Sequence, residues 1–225
     1  MMDAHVFDYI KRLTTPSSYP FDVMERQAKE QHVPIMEQEG IAFLKQLIRL
    51  QRPTRILEIG AAIGYSALQM ASIDTDIHVV TVERDDERFQ AAVENLGQYD
   101  KHQQVEVLHG DAFDLADELN SKGPFDVVFI DAAKGQYQRF FETFTTNLTS
   151  HAVIITDNVL FKGYVSDASH ASKRLAKLSQ KIDRYNQWLM ELEGFETVIV
   201  PVSDGVAITT QEVKKQNRNY VNKGV

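Results

Sequence analysis

No cysteine occurs in the 225 residues. That excludes disulfides, thiolate metal sites and cysteine nucleophiles, so any metal must be held by oxygen or imidazole. No uninterrupted apolar stretch approaches the ~20 residues that a bilayer-spanning helix needs. The first eleven residues carry acids among their apolar positions, which is not the pattern of a signal peptide. Positive charge is also in deficit: 24 Lys and Arg stand against 32 Asp and Glu, a net charge of -8. A surface of that sign cannot coat a nucleic acid as a whole, but it leaves room for a local basic face. The expectation is a soluble, cytoplasmic α/β protein with no membrane segment, folded as one domain over residues 1–225.

What is present is alternation. From Arg55 onward short apolar runs alternate with longer amphipathic ones, the pattern of β-α units that build a parallel sheet covered by helices on both faces. Strands are predicted at 55–59, 78–83, 105–109, 125–130, 152–156, 197–202 and 206–210, and helices at 65–72, 86–96, 113–120, 136–148 and 171–192. Only Ser203-Asp204-Gly205 separates the last two strands. That is too short for a crossover helix, so the two form an antiparallel hairpin at the end of an otherwise mostly parallel, seven-stranded sheet. Residues 1–50 read as a helical cap on the sheet, with helices at 3–13, 21–31 and 37–50 and a Pro/Ser-rich break at 14–20.

Three strand ends together describe a nucleoside site. Ile56-Leu57-Glu58-Ile59-Gly60-Ala61-Ala62-Ile63-Gly64-Tyr65-Ser66 runs from an apolar strand through a small-residue turn into a helix. Gly60 allows the tight turn, the alanines allow close approach to the backbone, and the helix start offers free N–H groups. Ala62 stands where a pyrophosphate-binding turn has its second glycine, which disfavours a dinucleotide and with it a dehydrogenase. Glu83 closes the next strand, about 20 residues later, where a carboxylate accepts both ribose hydroxyls. Gly110-Asp111-Ala112 ends the third, where an adenine ring would lie.

Acids close the next two strands as well. Asp131 follows the apolar run to Ile130, with Lys134 three residues on, and Asp157-Asn158 follows the run to Thr156. Two carboxylates and one amide oxygen suit a hard cation such as Mg²⁺, with Ca²⁺ or Mn²⁺ also fitting and Zn²⁺ less well. Singly, each acid reads equally as a helix cap or turn residue. A lysine partly buried beside a dication would have its pKa pushed down, which makes Lys134 a candidate general base.

The motifs ILEIGAAIGYSA, VERD, FIDAAKGQY and ITDNVLFKG resemble the cation-dependent O-methyltransferase family that includes catechol and caffeoyl-coenzyme A O-methyltransferases. The likeness spans nearly the whole chain and implies a Rossmann-like class I methyltransferase fold. HVPIME, DAAKGQYQ and DNVLFKGYV are similar to the bacterial branch that methylates 5-hydroxyuridine in tRNA. By this resemblance S-adenosylmethionine would contact Val33, Met36, Glu58, Gly60, Ser66, Glu83, Asp111, Ala112 and Asp131. Asp131, Asp157 and Asn158 would hold Mg²⁺, and Asp131 and Lys134 would be catalytic. It also implies a homodimer paired through the N-terminal helices. The acid that follows the metal pair and binds catechol in that family has no counterpart after Asn158 in the sequence. The implied reaction is O-methylation of wobble 5-hydroxyuridine in the tRNA anticodon region to 5-methoxyuridine; the alternative acceptor is a small catechol-like metabolite with two adjacent oxygens.

An RNA partner needs cations. Between positions 162 and 184, Lys162, Lys173, Arg174, Lys177, Lys181 and Arg184 stand against only Asp167 and Asp183, and the C-terminal segment adds Lys214, Lys215, Arg218 and Lys223. Arg174, Lys177, Lys181 and Arg184 recur at three- and four-residue spacing and share one helical face, either simply solvated or in contact with phosphates. Phe161, Tyr164 and Tyr137 could stack on an anticodon base or serve as packing, whereas Tyr185 and Trp188 read as core.

Overall fold

The computed structural model describes residues 4–212; Lys214, Lys215, Arg218 and Lys223 lie outside them. Three helices, α1 (Ala4–Leu13), α2 (Phe21–Glu30) and α3 (Gln38–Gln51), precede an alternating series. It runs β1 (Arg55–Ile59), α4 (Tyr65–Ala71), β2 (His78–Glu83), α5 (Asp86–Tyr99), β3 (Val105–His109), α6 (Ala116–Ser121) and β4 (Phe125–Ile130). It continues with α7 (Tyr137–Phe144), β5 (Leu148–Thr156), α8 (Lys173–Glu191), β6 (Phe195–Val200) and β7 (Val206–Gln211). The seven strands form one sheet in the order β3-β2-β1-β4-β5-β7-β6. β7 alone runs against the others, paired antiparallel to both β5 and β6. The topology is thus the expected mostly parallel sheet with a terminal hairpin.

The central strands are apolar on both faces because both are covered, as parallel sheets require. One face carries Leu57, Val128 and Ile154 under α7 and α8. The other carries Ile56, Val79 and Phe129 under α3 and α4, where Met24 and Ala28 of α2 join Leu44 and Ile48 of α3. These last four residues are at most 1% exposed, so α2 and α3 form the expected cap. α1 does not: Val6, Tyr9, Ile10 and Leu13 are between 40% and 65% exposed.

Several boundaries differ from the sequence reading, each for a local reason. α6 starts at Ala116 because Asp111 holds residues 113–115 in a turn, its Oδ1 accepting from Phe113 N–H and its carbonyl from Asp114 and Leu115. α7 ends at Phe144, since Leu148 is already in β5, paired with Phe125 across an irregularity in the ladder. β5 therefore begins four residues before the expected Ala152. The expectation that both strands ending in acids neighbour the first holds for β4 alone, which lies between β1 and β5.

The tightest point in the sheet is the end of β1. Gly60 has φ +104°, and a Cβ on it would lie 2.2 Å from the carbonyl oxygen of Asp131. The glycine is required by the neighbouring strand, beyond any need of a ligand for space. Gly60→Ala should therefore destabilise the fold by about 3 kcal/mol or more, seen as a lowered urea midpoint in ligand-free protein. A midpoint unchanged from wild type would refute this reading of the glycine.

Candidate functional site

The carboxyl ends of β1 to β5 open into a cavity of about 550 Å³. Gly60, Ala61 and Ala62 line its floor, with Ser66 from α4, Glu83 from β2 and Gly110, Asp111 and Ala112 after β3. Asp131 and Lys134 after β4, and Asp157 and Asn158 after β5, complete the far side. The residues predicted for a nucleoside and for a metal thus share one space, at the reversal of strand order where open α/β sheets bind ligands. Met36 reaches it from the segment between α2 and α3, beside Pro34, Ile35 and Glu37.

Two residues predicted to touch the methyl donor do not reach the cavity. Val33 is partly buried against the core, its N–H bonded to Ala28 O at 2.8 Å. Glu58 is 0% exposed beneath the floor, its two carboxyl oxygens each 2.5 Å from a hydroxyl, Ser66 Oγ and Thr81 Oγ1. Burial raises its pKa to about 7, the two hydroxyls oppose this, and the charges of Asp131 and Glu83 add to it.

Glu83 is fixed before any ligand arrives. Its Oε2 accepts from Ala62 N–H at 2.8 Å and its Oε1 from the N–H groups of Arg84 and Asp85, each at 3.0 Å. Ala62 adopts φ +46° to present that N–H, so the position that lacks the second glycine still takes a glycine-like conformation. Lone pairs left on Glu83 face the cavity and can accept ribose hydroxyls. Arg84 and Arg88 also line this side, and Arg84 lies 3.8 Å from Asp111. Sequence reasoning missed both, because a charged pair just past a strand end carries no sign of where it folds.

At the other end, Lys134 Nζ donates to Asn158 Oδ1, and Asn158 Nδ2 donates to Asp157 Oδ2 at 2.9 Å. Asn158 turns its amide inward from a left-handed backbone at φ +60°. Tyr137, 1% exposed, donates its hydroxyl to the Asp157 carbonyl at 2.9 Å and so belongs to the core and not to a base-stacking surface. Asp157 is 2% exposed, and its Oδ1 is buried without a hydrogen-bond partner. Among the described residues no three Asp, Glu or His side chains form a metal cluster. The donor set is two carboxylates plus an amide, and the orphaned oxygen fits a hard cation. Burial raises the pKa of both Asp131 and Asp157, with Lys134 opposing in each case. Burial lowers that of Lys134, against the pull of Asp131, Asp157 and Asp204.

Asp204 is the acid the sequence conceals. It lies in the β6–β7 turn, far along the chain from Asn158, yet lines the cavity and acts electrostatically on both Lys134 and Asp157. The sequence shows no catechol-binding acid following Asn158; the hairpin brings the Asp204 carboxylate to the same cavity as Asp157 and Asn158.

The cationic residues are only partly at the cavity. Lys162 lines it, on the short turn Phe161–Gly163. Arg174, Lys177, Lys181 and Arg184 are exposed along α8 and do not. Lys181 comes nearest: its Nζ lies 3.6 Å from where a Cβ on Gly135 would stand, one residue from Lys134. Phe161, 8% exposed, lines the cavity and tilts against Tyr164 at 5.6 Å, whereas Tyr185 and Trp188 pack in the core as expected.

The raised carboxyls give a stability signature. The folded state keeps protons that the unfolded chain sheds, so their contribution is present below the ordinary carboxylate range and is lost as pH rises toward neutrality. Asp157→Asn should flatten that part of the melting profile relative to wild type. Millimolar Mg²⁺ at neutral pH should raise the wild-type melting temperature by a few degrees and leave the variant unmoved. An equal Mg²⁺ shift in both proteins would exclude Asp157 as a ligand.

The profile of an O-methyltransferase family matches residues 19–212. A catechol O-methyltransferase from Niastella koreensis is 33% identical over 128 residues, 56% of this chain and 58% of its own. A Staphylococcus aureus crystal structure superposes with a TM-score of 0.85 at 38% identity, covering 91% of this chain and 98% of that one. The O-methyltransferase TomG of Streptomyces achromogenes, solved with S-adenosylmethionine, superposes at 0.78 with 25% identity, covering 95% of this chain and 100% of TomG. With its sheet order, strand-end cavity and profile in agreement, the chain belongs to this family of S-adenosylmethionine-dependent O-methyltransferases.

Proposed function

We propose that the acceptor is 5-hydroxyuridine in the anticodon region of tRNA, methylated to 5-methoxyuridine with a divalent cation such as Mg²⁺. What supports RNA is the continuity of charge, since the exposed α8 cations lead through Lys181 to Gly135 and Lys134, with Lys162 in the cavity itself. Phosphates flanking a splayed base could meet that rim while the base enters. The exposed apolar stripe on α1 supports pairing of two chains.

In 5-hydroxyuridine the C5 hydroxyl sits beside the C4 carbonyl, so the base presents two adjacent oxygens, as a catechol does. Asp131, Asp157 and the Asn158 amide would hold the cation, which when bound lowers the pKa of the acceptor hydroxyl. Lys134, which burial moves toward its neutral amine, takes the hydroxyl proton at Nζ. The freed oxygen attacks the methyl carbon in line, the carbon–sulfur bond breaks, and the sulfonium becomes the thioether of S-adenosylhomocysteine. Holding the two reactants in line supplies up to roughly 7–11 kcal/mol.

Asp204 favours a second reading, a small catechol or similar metabolite, because a carboxylate beside the metal pair can accept from the second hydroxyl of such a molecule.

The test is mass spectrometry of tRNA nucleosides after incubation with protein, S-adenosylmethionine and Mg²⁺. New 5-methoxyuridine is expected, and Lys134→Ala should reduce its rate by about 10²- to 10⁴-fold. Methylation that survives both chelation and Lys134→Ala would sink the mechanism. Replacing Arg174, Lys177, Lys181 and Arg184 by Gln should weaken tRNA binding and flatten its log–log salt dependence by about 0.7–0.9 for each phosphate no longer neutralised. Turnover of a free catechol with no effect of this neutralisation would favour the second reading.

A further inference from the structure

α8 carries three polar side chains on its buried face, Ser179, Tyr185 and Asn186. Each bonds the segment that begins at the end of β5. The Tyr185 hydroxyl pairs with Thr156 Oγ1 at 2.8 Å, Asn186 Nδ2 donates to Val159 O at 2.8 Å, and Ser179 Oγ donates to Tyr164 O at 2.6 Å. Thr156 immediately precedes Asp157 and Val159 immediately follows Asn158. The helix therefore brackets the candidate metal pair, although none of its residues lines the cavity.

That segment has a backbone that needs support. Asn158 at φ +60°, Phe161 at +46° and Lys162 at +54° are all left-handed without being glycine. Side-chain-bearing residues keep such conformations only where their surroundings over-determine them. Around Asn158 each successive peptide is held from outside the segment. Asp157 O accepts from the Tyr137 hydroxyl at 2.9 Å, and Val159 N–H donates to Gly205 O at 2.9 Å. The next peptide is held at both ends, Val159 O by Asn186 and Leu160 N–H by Asp204 O at 2.8 Å.

Of these supports, Asn186 is the one that costs stability. It is 7% exposed, with the buried Ile182 and Leu189 one turn to either side, and its Oδ1 is buried without a hydrogen-bond partner. Leucine, close to asparagine in shape, would remove that unpaired oxygen. What the amide supplies in return is its bond to Val159 O. We propose that Asn186 is a positioning residue for the metal end of the cavity: by fixing the peptide after Val159 it holds Asn158 in the left-handed conformation that turns its amide toward Asp157 and Lys134. The inference rests on the reading of Asp131, Asp157 and Asn158 as metal ligands and is independent of which acceptor is methylated.

The probe is Mn²⁺, its binding read from the loss of the free-ion electron paramagnetic resonance signal, with calorimetry of S-adenosylhomocysteine as the control. Asn186→Leu should keep a urea midpoint near that of wild type, because Val159 O is left unpaired in exchange for Asn186 Oδ1. It should bind S-adenosylhomocysteine as wild type does and weaken Mn²⁺ by about 10- to 100-fold, the usual effect of losing a group that orients a metal ligand. Asn186→Ala gives the same comparison with no added bulk. Ser179→Ala, which frees only Tyr164 from the same helix, should leave Mn²⁺ affinity unchanged. Wild-type Mn²⁺ affinity in both Asn186 variants overturns the proposal. An equal loss in Ser179→Ala also overturns it, since α8 would then brace the segment as a whole, and so does a parallel loss of S-adenosylhomocysteine, the mark of a general structural failure. Wild-type protein that binds S-adenosylhomocysteine but no Mn²⁺ would instead refute the metal reading itself.

Discussion

The hydrogen-bond ladder of the parallel sheet does not stop where the strands end. Gly60 and Ala61 N–H both donate to Val82 O, Gly110 N–H to Glu83 O, Asp131 N–H to Ile59 O and Asp157 N–H to Ile130 O, all within 2.9–3.1 Å. Each residue that opens the cavity is thus tied to the last carbonyls of the neighbouring strand. Side chains from four separate strands are held by the same backbone bonds that hold the sheet. A site built this way needs no flexible loop to bring these groups together, and the close approach of Gly60 to Asp131 sets the cavity floor beside the end of β4.

Crowding carboxyls at one sheet edge has an electrostatic cost, and the structure meets it differently at each position. Glu83 remains an acceptor by taking three backbone N–H groups. Asp131 and Asp157 both lie within the electrostatic influence of Lys134, which itself bonds Asn158. Glu58 has neither a set of N–H groups nor a cation, only two hydroxyls. These three arrangements leave one carboxyl bound by backbone N–H groups, two beside a lysine and one against hydroxyls alone.

Much of this was legible in the residues. The limits of β1, β2 and β4 follow from apolar runs that end in Gly or acid, because central parallel strands are covered on both faces, whereas β3, at the sheet edge, alternates and ends before Gly110. Local chemistry blurred the rest. Asp111 unwinds the start of α6 into a turn, and the long β5 begins among the polar residues 149–151, where hydropathy is silent. Glu58 shares its motif with Gly60 and Ser66, which line the cavity, but β1 is covered on both faces and buries it beneath the floor.

Asp131, Lys134, Asp157 and Asn158 could be picked out because each lies within a few residues of an apolar run, and sequence alone determines which groups follow a strand. What the tertiary structure decided is everything that depends on two distant segments meeting. Asp204 joins the site only because β7 pairs antiparallel with β5 and carries its turn back to the carboxyl edge. Lys181 approaches Lys134 only because α8 packs beside Gly135. Glu58, fully buried, and Val33, partly buried against the core, do not line the cavity, because what a side chain packs against is a property of the folded whole. Covalent order fixes what can end a strand; only the folded chain fixes what stands beside it.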